Sequence, residues 1–148
     1  MNLYAFDENK NKTDISGKVT DTGWITLSMP TTKNLVMFGP ISYRKIGNKV
    51  TVTGIIDKIQ SVSGQIVFRT IATMPDGYRP KLGCQTMLGC TWVYPYSTNK
   101  NAMGINYLSI QSDGQVTVYS ALADNTLDDS SEVDLTLNDV FEVSYLVD

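Results

Sequence analysis

The chain has 148 residues, 42% hydrophobic and 18% charged, with a net charge of −3 and a pI near 4.8. This size predicts one globular domain with a substantial core. The acidic balance argues against a nucleic-acid partner, which would need a basic surface. There is no histidine, so the commonest general base and metal ligand is missing. We therefore expect no His-dependent active site, no metal site and no cofactor.

The charge is unevenly distributed along the chain. Residues 1–74 carry nine Lys/Arg and five Asp/Glu, whereas residues 75–148 carry three and ten. One explanation is that these charges lie on ordinary solvated faces. The other is that the basic half of one subunit contacts the acidic half of another in an oligomer.

Residues 1–22 are polar except for the apolar patch LYAF at residues 3–6. We interpret them as an arm or connector with one short strand, or as ordinary terminal disorder. The N-terminus lacks the basic start and apolar stretch of a signal peptide. No run approaches the ~18 apolar residues of a membrane span. These features predict synthesis in the cytoplasm and no membrane insertion.

From residue 23 onward, short alternating apolar and polar runs end at Gly, Pro or Asn/Asp. The clearest hairpins flank Gly47-Asn48 and the tripeptide Ser112-Asp113-Gly114. The last strand alternates from residue 141 to residue 147. No window repeats apolar residues at helical spacing. Residues 23–148 are therefore predicted to form an all-β antiparallel sandwich or barrel.

Residues 72–80, ATMPDGYRP, predict a sharp corner after a strand. Pro75 and Pro80 each remove a backbone donor, so regular pairing should stop there. Gly77 is free to adopt a positive φ in a turn. Arg79 precedes a proline and should be extended beside Tyr78. We expect the corner to hold a sheet edge against its neighbour and to do no chemistry.

The two cysteines, Cys84 and Cys90, are six residues apart. On one strand their Cα atoms would lie about 20 Å apart at roughly 3.3 Å per residue. A disulfide needs Cα atoms within about 7 Å, which would require a turn at residues 87–88. We predict two free, reduced thiols.

Four motifs carry a resemblance to a known family. They are GWITL at residues 23–27, YRKIGNKVTVTG at 43–54, MPDGYRP at 74–80 and IQSDGQV at 110–116. Together they resemble the opening strand, first hairpin, "LPxGYRP" corner and later hairpin of receptor-binding heads in tail proteins from phages of Gram-positive bacteria. The one departure is Met74, where leucine is usual, and this change conserves volume.

The resemblance implies a jelly-roll fold, a homotrimer and a place in the virion tail. Residues 1–22 would then join the head, residues 23–148, to the rest of the tail. The implied partners are host cell-wall or surface polysaccharide and other tail or baseplate proteins.

The sequence from residue 92 to residue 101, WVYPYSTNKN, concentrates aromatic and amide side chains at the end of a strand. Sugars present apolar C–H faces and many hydroxyls, so a site for them needs an aromatic platform beside fixed polar partners. Alternation places the three aromatic residues on one face if the strand continues past Pro95. An alternative is that Trp92 and Tyr94 belong to the core or a trimer interface. The predicted saccharide-binding residues are Trp92, Tyr94, Tyr96, Asn99, Asn101 and Asp128.

Two other functions remain open. One is a structural baseplate or fibre module whose aromatic residues bury a protein interface. The other is a small glycan-cleaving domain, which needs only two carboxylates about 5 to 9.5 Å apart. The acidic run that includes Asp128, Asp129, Glu132 and Asp134 is the richest source of such a pair or of calcium ligands. We expect a binding module and not an enzyme, because acidic runs in loops are usually solvated.

Overall fold

The computed structural model describes residues 4–6, 8–14, 20–27, 32–33, 36–62, 66–93, 102–122 and 133–148. These residues form twelve strands and no helix, which confirms the all-β prediction. Accordingly, they include no helix of the length and apolarity that crossing a membrane requires. The strands are β1 (Tyr4–Phe6), β2 (Lys12–Asp14), β3 (Ile25–Thr26), β4 (Thr32–Lys33), β5 (Val36–Phe38), β6 (Ser42–Ile46), β7 (Lys49–Val62), β8 (Ile66–Thr73), β9 (Cys84–Val93), β10 (Ala102–Ile110), β11 (Gln115–Leu122) and β12 (Val133–Leu146).

The strands form three antiparallel sheets. Strands β1 and β2 pair with each other, although the sequence predicted one strand there. The polar sequence of β2, KTD, has no apolar alternation by which to recognise it. The four-stranded sheet has the order β8-β11-β10-β9. In the six-stranded sheet, the long strand β7 pairs with β12 on one side and with β6 and β5 on the other, while β3 and β4 extend from β6 and β5.

Both predicted hairpins are present. Strands β6 and β7 flank a two-residue turn in which Gly47 has a φ of +60°. Strands β10 and β11 flank a longer turn in which Gly114 has a φ of +90°. The Asp113 carboxylate accepts the backbone N–H of Gln115 at 2.9 Å and closes this turn. Local turn chemistry therefore sets both registers.

One hydrophobic core draws side chains from the four-stranded and six-stranded sheets, as in a β-sandwich. Val50, Val52 and Ile56 are fully buried on β7, and Leu108 and Ile110 are fully buried on β10. Their spacing of two or four residues follows from side-chain alternation along a strand. Burial of each such side chain contributes about 1.5–3 kcal/mol. This core fixes which face of each sheet is left for solvent.

The predicted corner at residues 74–80 joins the two sheets. The Arg79 Nε–H donates to the Met74 carbonyl at 3.0 Å, and Arg79 Nη1 lies 2.7 Å from Asp76 Oδ1. The Met74 N–H in turn donates to the Gly114 carbonyl at 2.8 Å, in the β10–β11 turn. These bonds tie the end of β8 to that turn.

Tyr78 connects the same corner to the six-stranded sheet. Its carbonyl accepts the Tyr145 hydroxyl at 2.6 Å, and its ring meets the Tyr43 ring edge-on with centroids 4.8 Å apart. Lys45 lies over the Tyr78 ring and donates to the Gly77 carbonyl at 3.2 Å. Burial raises the pKa of Tyr145, so its hydroxyl stays protonated and available to donate.

The remaining corner residues lie as their types suggest. Gly77 is exposed with a φ of +79°, in the left-handed region that glycine favours. Pro75 is exposed and Pro80 is buried. Cys84 begins β9 as a free thiol, as predicted, and burial raises its pKa.

Candidate functional site

The outer face of the four-stranded sheet carries a row of four large side chains that we call the aromatic rung. Tyr119 on β11 lies directly opposite Phe68 on β8 and Tyr107 on β10. Tyr107 in turn lies opposite Met87 on β9. Residues directly opposite on antiparallel strands have neighbouring side chains on the same face. The rung therefore crosses all four strands at one level.

The three rings of the aromatic rung form one continuous stack. The Phe68 and Tyr119 centroids are 5.5 Å apart with planes at 28°, and the Tyr119 and Tyr107 centroids are 4.9 Å apart with planes at 18°. Carbon atoms of two rings in direct face-to-face contact are about 3.5 Å apart. Nearly parallel rings with centroids 4.9 Å apart are therefore offset, as aromatic pairs prefer. Offset rings leave part of each face uncovered.

The ends of the aromatic rung are open to solvent. Phe68 is 64% exposed and Met87 is 62% exposed, whereas Tyr107 and Tyr119 are partly buried between them. An isolated exposed apolar residue needs no explanation, but a contiguous exposed apolar group marks an interaction site. The aromatic rung, with an exposed apolar side chain at each end, is therefore our candidate interaction site.

A second row of uncharged polar side chains, which we call the polar rung, lies beside the first on the same face. Thr117 on β11 lies opposite Thr70 on β8 and Ser109 on β10, and Ser109 lies opposite Gln85 on β9. Gln85 is exposed and donates from its amide to the Tyr119 hydroxyl. The Thr70 and Thr117 hydroxyls are 3.2 Å apart. Hydrogen-bonding groups are thus held next to the rings.

Two irregularities in strand pairing align the aromatic rung. The β11–β8 register shifts between Val116 and Thr117, and the β10–β9 register shifts between Asn106 and Tyr107. A one-residue shift exchanges the two faces of a strand. If the pairs Val116–Ala72 and Asn106–Gly89 were continued without these shifts, Arg69 and Leu88 would take the places of Phe68 and Met87.

The shift on β9 lies over a buried polar cluster. Asn106 is fully buried; its amide donates to the Gly89 carbonyl at 3.4 Å and accepts the Ser120 hydroxyl. An Asp139 carboxylate oxygen lies 2.7 Å from the position that a Cβ on Gly89 would occupy. Burial raises the pKa of Asp139. The φ of +147° at Gly89 favours glycine, and an added Cβ would in addition displace the Asp139 carboxylate.

The predicted saccharide-binding residues lie almost entirely outside the described part of the chain. Trp92 is in β9, with its Cα opposite that of Met103. The other five fall on residues that the structure does not describe: Tyr94, Tyr96, Asn99, Asn101 and Asp128. A shared site for these six residues stays a prediction.

The sequence interpretation missed the aromatic rung, although part of it was predictable. Tyr107 and Tyr119 are each six residues from Asp113, the centre of a recognised hairpin turn. Counting outward from that turn places the two tyrosines opposite each other. Phe68 and Met87 gave no comparable signal, because their pairing depends on the register shifts.

The described residues offer apolar and hydrogen-bonding groups on the outer face of the four-stranded sheet. Within the ranges given above, no three Asp, Glu or Cys side chains come together as potential metal ligands. No protein-family model matches the chain, and no curated protein matches it either.

Proposed function

We propose that this chain is the receptor-binding head of a phage tail protein and binds host cell-surface saccharides non-covalently. The observation that supports this proposal best is the aromatic rung beside the polar rung on an open sheet face. The motif resemblance supplies the phage context, including a jelly-roll topology, a homotrimer and a place in the virion tail.

The two rungs match the two kinds of surface that a sugar presents. Offset rings offer partly uncovered faces to apolar C–H groups, while the Gln85 amide and the Ser109 hydroxyl offer hydrogen bonds to sugar hydroxyls. Specific sites commonly combine apolar contact area with a few well-placed polar groups. An open face of this size gives modest affinity for each site. A trimer would raise the overall affinity through effective concentration.

The loop residues predicted from the sequence remain part of the proposal as a second contact region. Trp92, Tyr94 and Tyr96, with Asn99, Asn101 and Asp128, would supply further rings and polar groups. In this proposal neither region breaks a bond. Incubation with host wall polysaccharide should release no reducing sugar. Release that disappears in Asp128→Asn or Asp129→Asn would instead establish the glycan-cleaving alternative.

A glycan array probed with the full chain tests saccharide binding. We expect the wild type to bind, and Phe68→Ala to weaken binding by about tenfold, because the ring at the open end of the stack is lost. Leu146→Ala is the matched control, since Leu146 is 62% exposed on the six-stranded sheet, close to the 64% of Phe68. No binding by the folded wild type, or equal loss in both variants, would contradict the proposal.

A structural role in the tail is the second candidate. The exposed Phe68 and Met87 side chains are also typical of the apolar centre of a protein interface. Purified tail or baseplate proteins would then bind the chain tightly, and Phe68→Ala would weaken that complex. This outcome together with an empty glycan array would favour assembly over receptor binding.

A further inference from the structure

We infer that the saccharide bound by the aromatic rung is an uncharged oligosaccharide segment that lies across the four strands. The inference rests on the proposed function and adds the chemical class of the ligand and its direction on the sheet. Three features of the outer face support it: the absence of charge from the two rungs, the balance of nearby charges, and the length of the aromatic rung.

The two rungs contain no formal charge. Their eight residues are three aromatics, one methionine, two threonines, one serine and one glutamine. Recognition of phosphate or carboxylate groups typically uses Arg or Lys, because charge-assisted hydrogen bonds are about twice as strong as neutral ones. A face built for an anionic polymer would place such residues in the rungs. This face presents amide and hydroxyl groups instead.

Two charged residues that flank the rungs along the described chain, Arg69 and Asp113, do not form an anion site. Arg69 follows Phe68, but its Cα lies opposite Val118, whose side chain is buried on the other side of the sheet. The Arg69 guanidinium donates to the Phe68 carbonyl at 3.2 Å. Asp113, at the hairpin tip, accepts two hydrogen bonds from Gln115, at 2.9 and 3.0 Å. One cation and one anion thus flank the face, each with a protein partner.

The net charge of the whole chain also disfavours an anionic ligand. A net charge of −3 repels polyanions at long range and does not affect neutral ligands. Capture of an anionic polymer would need local cations strong enough to overcome this repulsion. The two rungs provide none.

The length and direction of the aromatic rung define the bound segment. Four strands at about 4.8 Å spacing make the rung roughly 15 Å long, perpendicular to the strands. This is the length of a short oligosaccharide and exceeds that of one sugar. Affinity should therefore increase from monosaccharide to short oligosaccharide and then level off once the rung is covered.

The experiment measures binding of the full chain to neutral glucans, galactans and mannans, and to the polyanions alginate and poly(glycerol phosphate), by glycan array and calorimetry. We expect a neutral polymer to bind, with less than about a twofold change in affinity between about 0.05 and 0.5 M NaCl, because no ion pair forms. Phe68→Ala should reduce this binding about tenfold. Arg69→Gln should leave it unchanged.

Each alternative result has a distinct meaning. Preferential binding of alginate that weakens about tenfold or more with salt, and is lost in Arg69→Gln, would overturn the neutral-ligand inference and leave saccharide binding intact. The same result with poly(glycerol phosphate), which contains no sugar, would overturn the proposed saccharide binding as well. Neutral binding that is the same for a monosaccharide and a longer oligomer would overturn the extended arrangement. A folded protein that binds neither class would overturn the proposed function itself.

Discussion

On the outer face of the four-stranded sheet a stack of three rings crosses the strands beside a row of polar groups, whereas on the outer face of the six-stranded sheet the side chains that meet across strands are mainly hydroxyls. There, Thr26 and Ser42 lie 3.1 Å apart, and Thr51 and Ser144 lie 2.8 Å apart. Thr53 donates to the Phe141 carbonyl at 3.0 Å. This face satisfies its polar groups with its own neighbours. The four-stranded face also pairs polar groups, Thr70 with Thr117 and Gln85 with Tyr119, but it carries in addition a row of rings that ends in the exposed Phe68.

The exposed apolar residues also differ in arrangement between the two faces. On the six-stranded sheet, Ile55 and Val140 form one exposed pair, and Leu146 lies opposite Lys49. On the four-stranded sheet, the apolar residues line up across every strand. Continuity across strands, more than the number of exposed apolar residues, distinguishes the candidate site. Four substitutions test how the two sheets differ in their contributions to stability and to saccharide binding.

The largest effect should come from Leu108→Ala, beneath the aromatic rung. Leu108 follows Tyr107 and precedes Ser109 in β10, and its side chain is fully buried on the opposite face of the sheet. Truncation therefore leaves a cavity and should lower the free energy of unfolding by about 2–5 kcal/mol. Val52→Ala, under the six-stranded sheet, is the matched control and should also destabilise, because both sheets share one core. Chemical denaturation measures both. A cost below about 1 kcal/mol for Leu108→Ala would contradict a common core.

Gly114→Ala should come next, because it affects the junction of the two sheets. An added Cβ would lie 2.8 Å from the Met74 carbonyl and 2.7 Å from Arg79 Nε, at a φ of +90°. Such strain costs about 1–3 kcal/mol. Gly47→Ala is the control, since its φ is also positive but nothing lies within 4 Å of the added Cβ. Equal melting temperatures for the two variants would mean that the corner contacts do not contribute.

Tyr119→Phe should have a smaller effect on stability and a selective one on the site. It keeps the ring stack but removes the hydroxyl that accepts the Gln85 amide. Exposed hydrogen bonds contribute about 0.5–1.5 kcal/mol at most, so the melting temperature should change little. Saccharide affinity should fall less than in Phe68→Ala, as measured by calorimetry. A larger fall would mean that the polar partner matters more than the ring stack.

The smallest effect should come from Asp21→Asn. The Asp21 Oδ2 atom lies 2.5 Å from Arg44 Nη2 in an ion pair beside the six-stranded sheet. The Arg44 hydrogen bond, helped by the Gly23 N–H, lowers the pKa of Asp21 to about 2. Its contribution to stability is therefore present above pH 3.8 and is lost as the pH falls through about 2. Asp21→Asn should make the melting temperature only slightly less dependent on pH over this interval, because the ion pair is exposed. A difference confined to neutral pH would contradict this assignment.

Much of the fold follows from local chemistry that the sequence displays. Alternating runs with Gly, Asn and Asp turns predicted an all-β antiparallel chain and both hairpins, and the structure contains them. The same turn predicts that Tyr107 lies opposite Tyr119. Turn type and side-chain alternation depend only on neighbouring residues, so both are readable without the tertiary structure.

Long-range strand pairing brings Phe68 and Met87 beside the two tyrosines. Phe68 is about 50 residues from Tyr119, and its pairing depends on a register shift that no local pattern reveals. Likewise, Gly54 is needed because the Phe141 ring lies 2.9 Å from its Cβ position, across a pairing of distant strands. Local sequence patterns predicted the all-β class and both hairpin turns, but they did not reveal β2. Long-range pairing determined which side chains share the face proposed to bind saccharide.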